Sequence, residues 1–459
     1  MKKTILFLMN GFGIEQLNSY NIYNANLMPN LDFYTKNYLF TSIESKAHDL
    51  ISGYRTFSTG SDLPLTYSLI DNYVDNFSNN KNFDFYLNGI KPENKIHLFL
   101  SLESDKCYDH LKAFIKFIRT KKNNPIYIHL VLTANNTNNY KTIEKIINKI
   151  SYDMKECKIG MIVGLNALNA INLTAFMNLY KNEVGEKWRE ITKKISALVN
   201  AKTKPFNVKE FYMNEGFKIN NDDSLFFFNY EYCDLTNFIN NVSKGFNVNF
   251  YSLFGINGIK YTMFAYPKSG ISMLNSLNKI DAKALILTNK DSIKFLNYYC
   301  CGLENVLSER IFFTKTDNGL NPNLLKSIIK DSDYDLIIIN YQVDNVEKVD
   351  ELKDKLSKLD SILKVIHDFC VEKEISLFIS SLYGMQKELA VDNFVKAVVD
   401  FSGKVPFIVV DPIFNKSNFM VTQGNIFNLA DTVYTNINNK YNGIVLIRKK
   451  GYITKMLKK

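Results

Sequence analysis

Residues 6–13 read LFLMNGFG, an apolar run that stops at Asn10 and turns through two glycines. A short apolar run bounded by a turn predicts a buried β-strand, and ligands of α/β proteins bind where such strands end. Asn10 therefore stands where a functional group is expected. A carboxylate there could hold a metal ion, whereas a neutral amide supplies only a carbonyl oxygen and no charge to offset a divalent cation.

Beyond this strand, short apolar runs alternate with helical patterns. One series consists of IHLFLSL (96–102), a helix over 109–120, IYIHLVLT (126–133), a helix over 140–151 and KIGMIVGL (158–165). This order is typical of a parallel sheet with crossover helices. The alternation resumes after about residue 268 and includes the strands YDLIIINY, ISLFISSLYG and VPFIVVDP.

A long amphipathic helix is predicted over about 345–372, between the second and the third of these strands. Its apolar residues recur at helical spacing and share one face, which predicts a stripe that packs on the core. They are Leu352, Leu356, Leu359, Leu363 and Ile366.

Composition limits the class of protein. The 459 residues are 46% hydrophobic, and at roughly 100–200 residues per domain this length favours two or three folded domains. Six scattered cysteines without a C-x-x-C pair fit reduced thiols in the cytoplasm better than a disulfide framework or a zinc site. The short apolar stretch at the start predicts neither a signal peptide nor a membrane anchor, and no apolar run is long enough for a transmembrane segment.

The formal net charge of +10 comes from lysines along the chain, with a cluster at Arg448–Lys459. We interpret this cluster as a solvated tail, and the alternative is contact with an acidic partner or nucleic acid. The aromatic clusters are interpreted as core, so no nucleic acid is predicted as a partner.

Several of these segments, in this order, resemble the cofactor-independent (2,3-bisphosphoglycerate-independent) phosphoglycerate mutases of the alkaline phosphatase superfamily. LFLMNGFG resembles the opening strand with its D-G-W-G turn, and SDYDLIIINY resembles a run that ends in I-x-N-Y. ISLFISSLYG resembles the strand that ends in T-A-D-H-G, and GKVPFIVV resembles the P-V-P-F strand. NIYNANLMPNLD, EKWREITKKISALV and FFFNYEYCDLTNFI resemble further segments of the family.

The resemblance implies an α/β fold in which an alkaline-phosphatase-like domain with a mixed or parallel sheet is interrupted by a second, inserted α/β domain. We expect residues 1–75 and 268–459 to form the discontinuous phosphatase-like domain. Residues 76–267 are expected to form the inserted transferase-like domain.

In that family two divalent metal ions, usually manganese, are held by Asp, His and Ser side chains and activate a serine that carries the phosphoryl group. The resemblance places metal ligands on Asn10, Tyr341, Asn345, Leu382 and Tyr383, which are poor ligands for hard cations. If the frame slips, Asp344 takes the place of Asn345, and a further family histidine falls near Ser402 or Gly403. No histidine lies at any of these positions, so no metal site is expected.

The family's nucleophile falls on Ser52, with Ser58 and Thr59 as alternatives. A serine hydroxyl is a poor nucleophile unless a base or a metal ion activates it. Ser52 is therefore expected to be a vestigial position, and no catalytic residue is expected to be intact.

Substrate binding is altered in the same way. Two family arginines fall on Glu231 and Asp234, a charge reversal that would repel an anionic substrate. Lys290 falls opposite an active-site lysine, the alternative being a solvated lysine, and His110 is either a surviving ligand or a surface histidine. No intact substrate site is expected.

These replacements predict a catalytically inactive protein, a pseudoenzyme, without a cofactor. It would act as a structural or binding subunit of a larger cytoplasmic assembly, with other protein subunits as partners. The alternatives are an active manganese-dependent phosphoglycerate mutase of glycolysis, a related phosphotransferase, or a protein that binds a small molecule in the old cleft. Aromatic interface anchors are expected in the Asn- and Tyr-rich linker around Tyr73–Phe85, at Tyr73, Phe77, Phe83 and Phe85.

Overall fold

The structure is a computed structural model of the 459-residue chain. It describes residues 1–14, 25–47, 50–60, 80–102, 106–133, 139–168, 173–228, 235–253, 259, 261–263, 273–289, 292–293, 296, 300, 311–315, 322–331, 333–343, 349–392, 394–411, 419–421, 424–438 and 446–448.

The chain divides into two compact units, and the second interrupts the first. Met1–Leu63 and Lys268–Lys459 form the first unit, and Pro64–Pro267 form the second. Both predicted domain boundaries, after residues 75 and 267, lie outside the described residues.

The described strands are β1 (Thr4–Asn10), β2 (Leu39–Glu44), β3 (Ile96–Leu102), β4 (Ile126–Leu132), β5 (Cys157–Gly164), β6 (Phe211–Tyr212), β7 (Ser224–Phe228), β8 (Asn249–Ser252), β9 (Tyr261–Thr262), β10 (Ala284–Thr288), β11 (Ile311–Lys315), β12 (Leu336–Gln342), β13 (Ser376–Ser380), β14 (Gly384–Asp392), β15 (Phe394–Ser402), β16 (Lys404–Val410), β17 (Phe419–Val421) and β18 (Leu446–Arg448).

The described α-helices are α1 (Pro29–Asn37), α2 (Leu50–Thr59), α3 (Lys81–Asn88), α4 (Lys106–Arg119), α5 (Tyr140–Asp153), α6 (Leu165–Leu168), α7 (Thr174–Asn182), α8 (Ile191–Asn200), α9 (Thr236–Ser243), α10 (Met273–Lys279), α11 (Pro322–Asp331), α12 (Val349–Glu372) and α13 (Ile426–Ile437). Within this part of the chain, no helix combines the length and the apolar character needed to cross a membrane.

The first unit is built on a mixed seven-stranded sheet in the order β11-β10-β12-β1-β13-β16-β2. The five neighbouring strands β11, β10, β12, β1 and β13 pair in parallel, and β16 is antiparallel to both of its neighbours, β13 and β2. All seven residues of β1 are buried, because core residues cover both faces of the sheet. The predicted opening strand is thus confirmed as a central strand.

Helix α12 covers one face of this sheet and carries the predicted apolar stripe. The five residues of the stripe are at most 1% exposed. Asp360, on the same helix, is also buried, and hydrogen bonds compensate for its lost hydration. Its carboxylate accepts the backbone N–H groups of Asn30 and Leu31 at 3.1 and 2.9 Å. It thereby satisfies two of the donors at the start of α1.

The second unit has its own seven-stranded sheet, in the order β6-β5-β4-β3-β7-β8-β9, and it is parallel from β5 to β9. Helices α3, α4, α5 and α8 pack on one face, and α7 and α9 pack on the other. The helices predicted over 109–120 and 140–151 correspond to α4 and α5.

A two-stranded ribbon formed by β14 and β15 was not predicted. The strands pair antiparallel from Gly384 opposite Ser402 to Asp392 opposite Phe394. Their sequence mixes charged and apolar residues and lacks the continuous apolar run by which the buried strands were recognised.

Candidate functional site

Four neighbouring parallel strands of the first unit, β10, β12, β1 and β13, end at the same edge of the sheet. The carboxyl edge of such a sheet is where α/β folds place their ligands. Asn10 is the last residue of β1 and lies in the middle of this edge.

Both polar atoms of the buried Asn10 side chain are used inside the protein. Its Oδ1 accepts the backbone N–H of Leu382 at 2.9 Å, and its Nδ2 donates to Oδ1 of Asn340. The Nδ2 of Asn340 donates in turn to Oγ1 of Thr288 at 2.9 Å. This chain of neutral hydrogen bonds, here called the amide network, links the ends of all four strands.

Asn10 acts in the amide network both as a donor and as an acceptor. An amide both donates and accepts, whereas an ionised carboxylate only accepts and could not donate to Asn340. Since the network carries no charge, it offers nothing to offset a divalent cation. The residues present here do not fit a bound metal ion.

Leu382 and Tyr383 follow β13 and complete this edge. Leu382 is fully buried, and its carbonyl oxygen accepts the Ser45 hydroxyl at 2.7 Å. A Cβ atom built on Gly53 would lie 2.8 Å from the Leu382 Cβ, so α2 packs directly against this leucine. The Tyr383 carbonyl accepts the N–H of Gly11 at 3.1 Å.

The candidate nucleophiles lie on α2. Ser52, next to Gly53, is 4% exposed. The Ser58 and Thr59 hydroxyls donate within the helix to the carbonyl of Arg55, at 3.3 and 2.6 Å. The structure therefore brings Asn10, Leu382, Tyr383 and the helix that carries Ser52 to one edge.

Tyr341 is directed elsewhere. Its hydroxyl donates to the carbonyl of Lys355 at 3.2 Å, and its ring stacks on Phe7. Successive side chains of a strand point to opposite faces, so Asn340, and not Tyr341, reaches Asn10. The sequence did not single out Asn340 or Thr288; the available signal was a polar residue at the end of each of two buried strands.

The remaining candidates are dispersed. Gly403 begins the turn into β16, and an added Cβ there would meet nothing within 4 Å. His110 is 2% exposed on α4, so the interpretation as a surface histidine is wrong. The other positions, Asn345, Asp344, Lys290, Glu231 and Asp234, lie outside the described residues.

Among the described residues, no group of three or more His, Cys, Asp or Glu side chains is arranged to hold a metal ion. The described part of the first unit's edge contributes amides, hydroxyls and apolar side chains. These groups can position strands and a helix, but they do not form a Lewis-acid centre.

The corresponding edge of the second unit holds a mainly apolar cleft that is only about as large as one water molecule. It lies at the ends of β3, β4 and β7 and is lined by three phenylalanines, three leucines, a valine and Ser101. Such a lining would desolvate a phosphate or carboxylate group without pairing it, which is unfavourable.

A buried network of ionisable groups, the histidine network, lies elsewhere in the second unit and was not predicted. The N–H of Met161 donates to Nδ1 of His129 at 3.1 Å, so the His129 proton is on Nε2, 2.9 Å from Nδ1 of His97. Nε2 of His97 then donates to Asp223 at 3.3 Å. The Asp223 carboxylate also accepts the N–H groups of Lys95 and Asn220, both at 2.7 Å.

Burial keeps both of these histidines neutral. It lowers the pKa of His97, although the hydrogen bond to Asp223 acts in the opposite direction. Burial also holds the pKa of His129 well below its usual value, and repulsion from His97 adds to this. The network is therefore a buried structural element in which the neutral form of both histidines is favoured.

Comparison with known proteins identifies the relatives of this chain. No protein-family model matches it. The 2,3-bisphosphoglycerate-independent phosphoglycerate mutase of Clostridium tetani (strain Massachusetts / E88) is 21% identical, and the alignment covers 96% of this chain and 97% of that enzyme. The chain is related to the cofactor-independent phosphoglycerate mutases. The enzyme of the same name from Gracilaria tenuistipitata var. liui is 22% identical, with 98% and 99% covered.

The fold agrees with this relationship. The crystal structure of Leishmania mexicana phosphoglycerate mutase at low cobalt concentration superposes with a TM-score of 0.76, at 12% identity and over 98% of both chains. The predicted fold is confirmed, an alkaline-phosphatase-like mixed-sheet domain interrupted by an inserted α/β domain. The resemblance to the phosphoglycerate mutase family is confirmed as well.

The contact between Gly53 and Leu382 gives a testable prediction. Gly53→Ala is expected to lower the free energy of unfolding by about 1–3 kcal/mol, because the added methyl group overlaps the Leu382 side chain and must displace α2. Urea denaturation would measure this loss. Gly403→Ala is the matched control, since its Cβ has open space, and equal stability of the two variants would show that α2 does not pack tightly on Leu382.

Proposed function

We propose that this protein is a catalytically inactive relative of the phosphoglycerate mutases that acts as a structural or binding subunit of a larger cytoplasmic assembly. The observation that carries the proposal is the amide network. The position that the resemblance assigns to a metal-binding aspartate is Asn10, and its amide is fully used in holding β1 to its neighbours.

The rest of the edge supports the same proposal. Leu382 and Tyr383 occupy two further positions assigned to metal ligands, and neither is a suitable ligand for a hard cation. A serine hydroxyl stays a weak nucleophile unless a metal ion or a base lowers its pKa, and these replacements remove side chains that would hold the metal ion. We therefore propose no cofactor and no catalytic role for Ser52.

The residues at the positions assigned to substrate binding support the proposal of an inactive protein independently. Glu231 and Asp234 stand where the resemblance places arginines, directly after β7, and they would repel a phosphoglycerate. The cleft at the end of that strand is mainly apolar and offers a phosphate group no counter-charge. Either feature alone would weaken binding of an anionic substrate.

The retained shape is proposed to serve protein partners, because a fold can persist after its site has been lost. Phe85 on α3 is 73% exposed and remains a candidate interface anchor. The expectation that Phe83 is a second anchor is wrong, since it is fully buried and stacks on Phe114 in the core. Tyr73, Phe77 and residues 449–459 of the basic tail lie outside the described residues.

The second candidate function is that of an active, manganese-dependent phosphoglycerate mutase. The names of the two sequence relatives favour it, since both are phosphoglycerate mutases that align over almost the whole chain. It would require metal ligands at positions other than those that the resemblance assigns.

Manganese separates the two candidates. Titration of the purified protein with MnCl₂ is expected to show no tight site and no rise in Tm, since a ligand that binds only the folded state would raise stability. With 3-phosphoglycerate and manganese, no 2-phosphoglycerate should form above the buffer rate, while the C. tetani mutase assayed alongside converts it. One or two tight manganese sites together with turnover would overturn the proposed function.

A further inference from the structure

One stretch of the second unit is strongly basic. Residues 106–158 contain eleven Lys or Arg and four Asp or Glu, a net charge of +7, in addition to the separate basic cluster at Arg448–Lys459. This stretch comprises α4, β4, α5 and the start of β5.

The two helices display this charge on adjoining surfaces. Lys141, Lys145 and Lys149 are exposed at four-residue spacing along α5, so they lie on one face at intervals of about 6 Å. The Lys149 ammonium lies 5.1 Å from the centre of the Tyr108 ring on α4, which joins the two surfaces. Lys116 is exposed on α4. These side chains form what we call the lysine face.

The acidic groups of the same helices are partly committed to other contacts. Asp153 bonds the Tyr108 hydroxyl and lies 3.4 Å from the Lys112 ammonium. Glu144 accepts the hydroxyl of Thr192 on α8. The guanidinium of Arg119 donates to the carbonyl of Asn124 at 2.8 Å, so this arginine stabilises the fold. The charge presented outward is therefore carried by lysine ammonium groups.

Large apolar groups border the lysine face. Tyr152 at the end of α5 is 75% exposed, with the Lys155 ammonium 5.5 Å from its ring centre. Phe85 is exposed on α3, whose Asp84 pairs with Lys121 just after α4. Val199 is exposed on α8, the helix next to α5. Apolar anchors surrounded by charge are typical of protein interfaces.

The size of the surface also fits a protein partner. Four helices packed side by side at about 8–10 Å span roughly 30 Å, and a 14-residue helix is about 21 Å long. The product, roughly 600 Å², approaches the area of about 800 Å² that each partner contributes to a standard interface.

We propose, building on the proposed role as a subunit, that the lysine face binds an acidic protein surface whose Asp and Glu side chains complement Lys141, Lys145 and Lys149. A protein fits better than a nucleic acid, because the exposed aromatic and aliphatic groups that border the lysine face need apolar partners, which a phosphate backbone does not supply.

The test uses a fluorescein-labelled 21-residue helical peptide with glutamate at every fourth position, measured by fluorescence anisotropy with the full chain. The triple variant Lys141→Glu, Lys145→Glu, Lys149→Glu is expected to weaken binding roughly tenfold or more, since three exposed ion pairs become repulsive. The matched control changes Lys330, Lys353 and Lys358 of α11 and α12 to Glu, with the same change of net charge, and should stay within about twofold. A second variant changes the same three lysines, Lys141, Lys145 and Lys149, to Gln. An unchanged midpoint of its urea denaturation would show that the loss of binding does not come from misfolding.

Equal losses in the two triple variants would overturn the proposal, because binding would then depend only on net charge. Tighter binding of poly(U) RNA or of phosphatidylserine vesicles than of the peptide, lost in the first triple variant, would also overturn it. Mutase activity of the wild-type chain would refute the proposed function, while the peptide titration reports on the lysine face alone.

Discussion

Replacement of Asn10 by aspartate is expected to lower the free energy of unfolding at pH 7 by about 3–5 kcal/mol. The side chain is fully buried, and the carboxylate could no longer donate to Oδ1 of Asn340. It would keep the N–H of Leu382 as a donor, which is too little to replace the water that an ionised group loses on burial. Urea denaturation would measure the loss.

The pH dependence of this loss identifies its cause. Burial should raise the pKa of the new carboxyl group in the folded state above its unfolded value. Stability is then retained at low pH, where the protonated group donates to Asn340, and is lost as pH rises through the folded pKa. The variant should therefore approach the wild type at pH 4–5 and diverge from it by pH 8.

A matched control is Asn148→Asp, on the exposed side of α5, for which a change within about 0.5 kcal/mol is expected. Addition of MnCl₂ to the Asn10→Asp protein is the decisive check. If manganese restored its stability, the first unit would retain a latent metal site, and the interpretation of the amide network as purely structural would be wrong.

The histidine network predicts that acid destabilises the protein from about pH 6.5 downward. The pKa values of His97 and His129 are lowered in the folded state, so between those values and 6.5 the unfolded chain binds more protons. Stability is complete above the unfolded pKa and falls as pH drops below it. Two histidines that stay neutral in the fold would together cost up to about 3 kcal/mol between pH 8 and 5.5.

His129→Gln isolates this effect. Its side-chain amide can accept the N–H of Met161 and donate to Nδ1 of His97, but it does not titrate. About half of the acid-dependent loss should disappear when urea unfolding is compared at pH 8, 6.5 and 5.5. His367→Gln is the control, because this histidine is half-buried and hydrogen-bonded to Tyr38 and Asp368 outside the network. An unchanged slope in His129→Gln would exclude the network as the source.

The elements that the sequence predicted correctly share a physical cause. Burial leaves a regular pattern of apolar residues, and a single sequence displays this pattern directly. The run of β1 and the stripe from Leu352 to Ile366 are two examples. The order of the segments that resemble the phosphoglycerate mutases extended the prediction to the whole fold. It also located Asn10 and Leu382, which the structure joins by a hydrogen bond.

What the sequence did not predict depends on contacts between distant residues. Asn340 became a partner of Asn10, and Thr288 a partner of Asn340, only through strand order. The choice between Asn340 and Tyr341 depended on which face of the sheet each side chain takes. The same limit applies to Phe83 and Phe85, which are two residues apart on α3 with one in the core and one in solvent. Their positions around the helix axis determine which of the two is buried. The polar sequence around them did not indicate those positions.

The amide network has a consequence for how this sheet depends on its surroundings. Where bound ions tie strand ends together, stability follows the supply of that ion, the presence of chelators and the protonation of its ligands. Asparagine and threonine side chains do not ionise between pH 4 and 10, and they need no second component. The cohesion that the amide network gives to β10, β12, β1 and β13 is thus encoded in the chain itself, and this contribution does not vary with the supply of a metal ion.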